Sequence, residues 1–141
     1  MTGWKMPLSN SNAYMKLIPS DDPILRKICR ADFVITHIDI VRMLEIMCAH
    51  NALGLAAPQV GIDARLFVTN WGEVFVNPIL ARKETPCIVG ESCLSLPGLE
   101  VQMNRYHRIT LADGRVYTAG RAAVIQHELD HLNGVLISDY Q

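Results

Sequence analysis

The six residues Gln126-His127-Glu128-Leu129-Asp130-His131 constrain this chain more than any others. Two histidines four positions apart stand one above the other on a single helical face, close enough to share a metal ion. Glu128, directly after the first of them, can sit beside that ion and carry protons for a bound water. The segment therefore predicts a helix over Ala119–His131, with Gly134 near its end, that presents an H-E-x-x-H metal site. The plainer reading is a charged helix face with two surface histidines. The rest of the chain decides between the two.

With 141 residues, half of them apolar, the chain suits one domain around one core. Residues 1–13 are polar and read as a loose leader, with Met15 as an alternative start and a single catalytic domain over 14–141. A net charge of −1 and scattered lysines and arginines give no general attraction to nucleic acid or an anionic membrane. No stretch approaches the roughly 18 apolar residues that cross a bilayer. The leader has only Lys5 and no apolar run, so no signal peptide is expected. Cys29, Cys48, Cys87 and Cys93 form no disulfide framework, and a domain of this size needs none. A cytoplasmic monomer is the expectation.

Asp22 and Pro23 cap and open a short helix. Thr36 and Asp39 form a capping box before a helix running to about His50, with Ile38, Val41, Leu44 and Cys48 at helical spacing. Leu66–Thr69 and Val74–Val76 read as strands joined by the turn Asn70-Trp71-Gly72-Glu73. Further strands are expected at Ile79–Arg82, Pro86–Glu91, Arg105–Leu111 and Arg115–Thr118, the last two joined through Asp113-Gly114. Helices and an antiparallel-rich set of strands are segregated, which gives an α+β fold packed around the C-terminal metal helix.

A catalytic zinc-type site has three protein ligands and one open position. Only ten residues follow His131, with Asp139 the sole acidic candidate, so the third ligand is sought upstream. Cys93, in the largely polar segment Glu91–Ser95 where a strand meets a Pro-Gly turn, is the natural choice. Cys29 and Cys48 read as small buried hydrophobes on apolar helix faces, and Cys87 as core or strand edge.

Three separated segments now carry a specific resemblance: Leu53-Gly54-Leu55-Ala56-Ala57-Pro58-Gln59, Glu91-Ser92-Cys93-Leu94-Ser95 and the 126–131 segment. In order and spacing they resemble the signature motifs of peptide deformylases, and the likeness extends over about residues 15–138. The resemblance implies the peptide-deformylase fold and removal of the formyl group from N-formylmethionine on new polypeptides, with release of formate. It implies that Cys93, His127 and His131 bind one divalent metal and that Glu128 moves the proton. It implies that the Gln59 side chain and the Leu94 backbone N–H stabilise the oxyanion. Glu91 and Arg105 would pair beside the site. Asp130 would be either supporting or a plain surface charge.

By the same likeness Leu53, Val89, Ala123 and Val124 would line a methionine pocket, with Gly54, Glu91 and Ser92 also toward substrate. Gly54 is either a plain turn glycine or a point of close substrate approach. General ligand preference suits zinc. The resemblance implies ferrous iron in the cell, with zinc or nickel in purified protein.

The chain departs from the pattern at Ala52 and Ser92, where the motifs usually carry glycine, which adds bulk near the expected substrate backbone. It also ends soon after the metal helix, without the tail sometimes implicated in ribosome contact. That shortness resembles bacteriophage-encoded members, which would act in a bacterial host cytoplasm. Two rival readings use the same residues: a zinc peptidase, and a metal-stabilised module without turnover.

Overall fold

The computed structural model describes residues 15–141; the expected leader at 1–13 lies outside the described residues. Two three-stranded sheets both pack on one helix, α2 (Ala119–Leu132). The first sheet has the order β1 (Gly54–Ala56), β2 (Leu66–Thr69), β3 (Val74–Val76), and a further helix, α1 (His37–Ala49), lies against it. The second has the order β4 (Leu80–Cys93), β5 (Leu96–Leu111), β6 (Val116–Thr118). Every strand pairing among the described residues is antiparallel.

Local chemistry sets the element ends. Asp22 accepts the Ile24 N–H at 3.0 Å ahead of a 3-10 turn at Pro23–Arg26. Thr36 Oγ1 accepts the Asp39 N–H while Asp39 Oδ2 accepts the Thr36 N–H, a reciprocal cap that satisfies two otherwise orphaned donors. The buried stripe of α1 differs from the expected one. Met43 and Met47, flanked by Ile40 and Leu44, face the sheet, whereas Val41 is half exposed and Cys48 is on the surface. Apolar residues run almost all round this helix, so several stripes fit the spacing and packing selects one.

The larger correction concerns the second sheet. The strands expected at 79–82 and 86–91 are one, and β5 begins nine residues before Arg105. Pro86 is tolerated because β4 is an edge strand. The turn at its tip is Leu94-Ser95, and Pro97-Gly98 lie inside β5, where Ser92 pairs Glu100 but Cys93 pairs Leu96. That offset is a bulge, the device that re-aims strand ends. β1 was not foreseen either; three residues around a glycine carry no strand signal.

The face of α2 bearing Ala122, Ile125, Leu129 and Leu132 joins Phe67, Phe75, Ile109 and Tyr117 in one core cluster. A second cluster centres on Met43, Met47, Leu55, Leu66 and Val68 beneath α1. The remaining face of α2 carries its histidines toward the end of β4.

Candidate active site

Cys93 is the last residue of β4, and its Sγ lies 3.3 Å from His131 Nε2. With His127 these residues offer three donor atoms that all lie within 4.8 Å of one another. A carboxylate can only accept, so the 2.8 Å contact of His127 Nδ1 with Glu91 Oε1 places the proton on Nδ1 and leaves Nε2 for an ion. Burial lowers the His131 pKa well below its ordinary value, with His127 and Arg105 adding to the effect, so this ring is in the neutral form a ligand requires. Burial also acts to lower His127, but hydrogen bonds with Cys93 and Glu91 and the charge of Glu128 lift it to about 10. A cation at the donor cluster would take that proton's place. Two imidazoles, one thiol and this spacing fit a divalent metal with a fourth position to spare.

Behind His127 stands a buried ionic chain. Arg105 grips Glu91 through Nε and Nη2 at 2.6 and 2.7 Å and reaches Asp130 through Nη1 at 2.7 Å. Burial raises the Glu91 carboxyl, yet the Arg105 and His127 bonds outweigh it and hold the group below its ordinary value. The expected Glu91–Arg105 pair is thus present, and Asp130 is its third member.

Glu128 is buried, and its Oε1 has no partner among the described residues. Burial lifts its carboxyl to about 7. A Cβ on Gly54 would lie 2.8 Å from Glu128 Oε2 and 3.1 Å from Val124 Cγ1. The close approach that needs a glycine here is therefore made by Glu128. Gln59 sits in the 3-10 turn Ala57–Val60 that follows β1. Its Oε1 accepts the Ala56 N–H at 2.9 Å, and its Nε2 donates to Ser95 Oγ at 3.1 Å and to Cys93 Sγ at 3.7 Å.

These groups open on a cleft of about 530 Å³. Leu53, Gly54, Val89, Glu91, Ser92, Ala123 and Val124 all border it, with Gln59, Cys93, Leu94, His127 and Glu128. Ala52 borders it too, and Leu53 is 59% exposed. Arg105 and Asp130 border a separate cavity of about 490 Å³. Asp139 pairs with Arg26 at 2.7 Å and is not among the clustered donors.

Two further residues matter that lie within the quoted segments but received no role from sequence reasoning. Gln126 bonds both Tyr106 N and Tyr106 O, at 2.9 and 2.8 Å, and so fastens α2 to β5. Its one signal was a polar side chain four residues after Ala122 and three before Leu129, on the stripe that faces the core. Ser95 is the other, and no spacing marks it.

The profile of the family described as Polypeptide deformylase matches residues 14–141. The chain is 38% identical to peptide deformylase 1 of Clostridium perfringens over 86% of this chain and 94% of the relative. It is 39% identical to the peptide deformylase of Thermotoga neapolitana over 84% of this chain and 81% of that one. The crystal structure of peptide deformylase from Thermotoga maritima superposes with a TM-score of 0.80 at 35% identity, covering 89% of this chain and 95% of that one. A Synechococcus elongatus peptide deformylase in complex with actinonin also gives 0.80, at 34% identity and 89% and 77% coverage.

Proposed function

The chain belongs to the polypeptide deformylase family, and from that premise we propose how its residues divide the work of a metal-dependent hydrolase that removes the N-formyl group from nascent peptides. The observation that carries the assignment is the convergence of residues 54–59, 91–95 and 127–131 on one cleft.

Cys93, His127 and His131 would hold one divalent ion. Bound there, it would supply Lewis acidity and lower the pKa of a water toward neutrality. Glu128 would accept a proton from the water that attacks the formyl carbon, then deliver a proton to the amine as the carbon–nitrogen bond breaks and formate leaves. A free Oε1 in a buried carboxyl group suits this role, because no fixed donor occupies the lone pair that must receive the proton. Gln59 Nε2 and the Leu94 N–H point hydrogen at the formyl oxygen, and each such donor typically contributes about 3–4 kcal/mol to the transition state. Glu91, held by Arg105, keeps the His127 ring turned. Leu53, Val89, Ala123 and Val124 receive the methionine side chain, with Ala52 and Ser92 narrowing the approach.

The ion is Fe2+ in the cell, with Zn2+ or Ni2+ in purified protein; the thiolate in the donor set makes the iron form sensitive to oxidation. The place of action is the cytoplasm, where formylated chains emerge.

The test is anaerobic turnover of formyl-Met-Ala-Ser by iron-loaded protein, beside Glu128→Ala. Formate release by the parent should fall by about 10²–10⁴-fold in the variant while metal stays at one equivalent. Bound metal with no formate from the parent would replace this reading with a metal-stabilised binding module.

A further inference from the structure

We infer that Ser95 is a positioning residue: its hydroxyl fixes the Gln59 amide and with it the spacing between the two donors aimed at the formyl oxygen. The inference rests on reading Gln59 and Leu94 as those donors.

A primary amide can present either end to its surroundings, and only its hydrogen-bond network chooses. At Gln59 the choice is forced on one side. The Ala56 N–H can only donate, so Oε1 must face it, at 2.9 Å. The NH2 end is then turned toward the metal-ligand cluster, where Cys93 Sγ lies 3.7 Å away. The backbone bond fixes which end faces the site but leaves the amide free to swing about that contact. Ser95 Oγ, 3.1 Å from Nε2, removes the swing by accepting one of the two hydrogens. Ser95 is only 4% exposed, so water offers little alternative acceptor.

The two donors come from unrelated parts of the fold. Gln59 follows β1 of the first sheet; Leu94 and Ser95 form the turn between β4 and β5 of the second. The Gln59–Ser95 bond spans 36 residues of sequence and ties those two turns directly. The Leu94 side chain packs against the core cluster of the first sheet and anchors the same turn from the other side. Oxyanion donors act only if their separation is set before the charge develops, and Ser95 is the side chain in contact with one donor and adjacent in sequence to the other.

A double-mutant cycle on formyl-Met-Ala-Ser tests this, using Ser95→Ala, Gln59→Ala and both together, with metal content checked in each. Ser95→Ala should lower kcat about tenfold with KM nearly unchanged. In the Gln59→Ala background the same change should cost almost nothing. The Gln59 side-chain amide signal in 15N–1H spectra of zinc-loaded protein should shift and exchange faster in Ser95→Ala. Full kcat in Ser95→Ala overturns the inference, and so does an equal loss with and without Gln59, which would mark Ser95 as a turn residue. Full kcat in Gln59→Ala would end the donor reading instead. It is told apart because the amide signal would still move in Ser95→Ala.

Discussion

On the hairpin side of the cleft, charge does the holding: Arg105 grips Glu91, Glu91 fixes His127, and Asp130 takes the remaining arm of the guanidinium. On the side formed by β1 and the turn after it, neutral contacts do the same work. Gly54 lies against Glu128 without a side chain, and Gln59 is fixed by a backbone N–H and a hydroxyl. The difference suits the roles proposed for each side, His127 as a metal ligand and Glu128 as the proton carrier. A metal ligand keeps one protonation state through the reaction, so an ion pair behind it does no harm. A proton carrier must gain and lose charge, and a salt bridge would pin its pKa on one side of neutrality. Glu128 is therefore held by shape.

The largest effect should come from removing the centre of the ionic side. Arg105→Ala leaves Glu91 buried without its counter-ion and deprives the half-buried Asp130 of its partner, at about 3–5 kcal/mol of stability. It also frees the group that orients His127, weakening metal binding by about 10–100-fold. Denaturant titration and chelator competition measure the two losses, and parental values in both would show that charge does not hold this side.

Gly54→Ala strikes the other side. The new Cβ must displace the Glu128 carboxylate, so kcat should fall by about 10²-fold while metal affinity stays at the parental level. A loss of metal affinity in this variant would mean that the two sides are not separable.

The smallest effect should come from a pair remote from the clustered donors, which serves as the control. Burial raises the Glu73 carboxyl, but hydrogen bonds from Tyr117, Trp71 and Arg115 outweigh it and hold the group below its ordinary 4.5. Burial and the same bond lift the Tyr117 phenol from 10.0 to about 12. The pair's contribution is therefore complete between those ordinary values. It is lost as pH falls through the lowered value of folded Glu73, and again as pH rises from 10.0 toward about 12. Tyr117→Phe should cost about 1 kcal/mol near neutrality. It should flatten the alkaline limb of a stability–pH curve and leave kcat unchanged. An altered kcat would tie this pair to the cleft.

What could be read in the letters was whatever a short segment decides for itself. The H-E-x-x-H helix, the Thr36–Asp39 cap and the Asp113-Gly114 turn each carry their cause within a few residues. The cleft-lining residues were legible only because three motifs together resembled a family. The long β4–β5 hairpin was obscured by Pro86, Gly90 and Pro97-Gly98, which read as punctuation and are accommodated by an edge strand and a bulge. The outward turn of Val41 and Cys48 was hidden because nearly every face of α1 is apolar. Gln126 and Ser95 stood in the quoted segments without a role, because their partners, Tyr106 and Gln59, are 20 and 36 residues away.

The hairpin also sets an order in time. Its pairings are nested from Cys93–Leu96 outward to Leu80–Leu111, so each closure shortens the loop needed for the next. A structure of this kind forms on the scale of about 1–10 μs. The contacts of Cys93 with Gln59 and His131 span 34 and 38 residues and gain nothing from that zipping. Closing the hairpin therefore does not by itself close the pocket, which also needs α2 and the turn after β1 in place. Docking of α2 completes the core and the site together, so a chain in which only the hairpin has closed is inert.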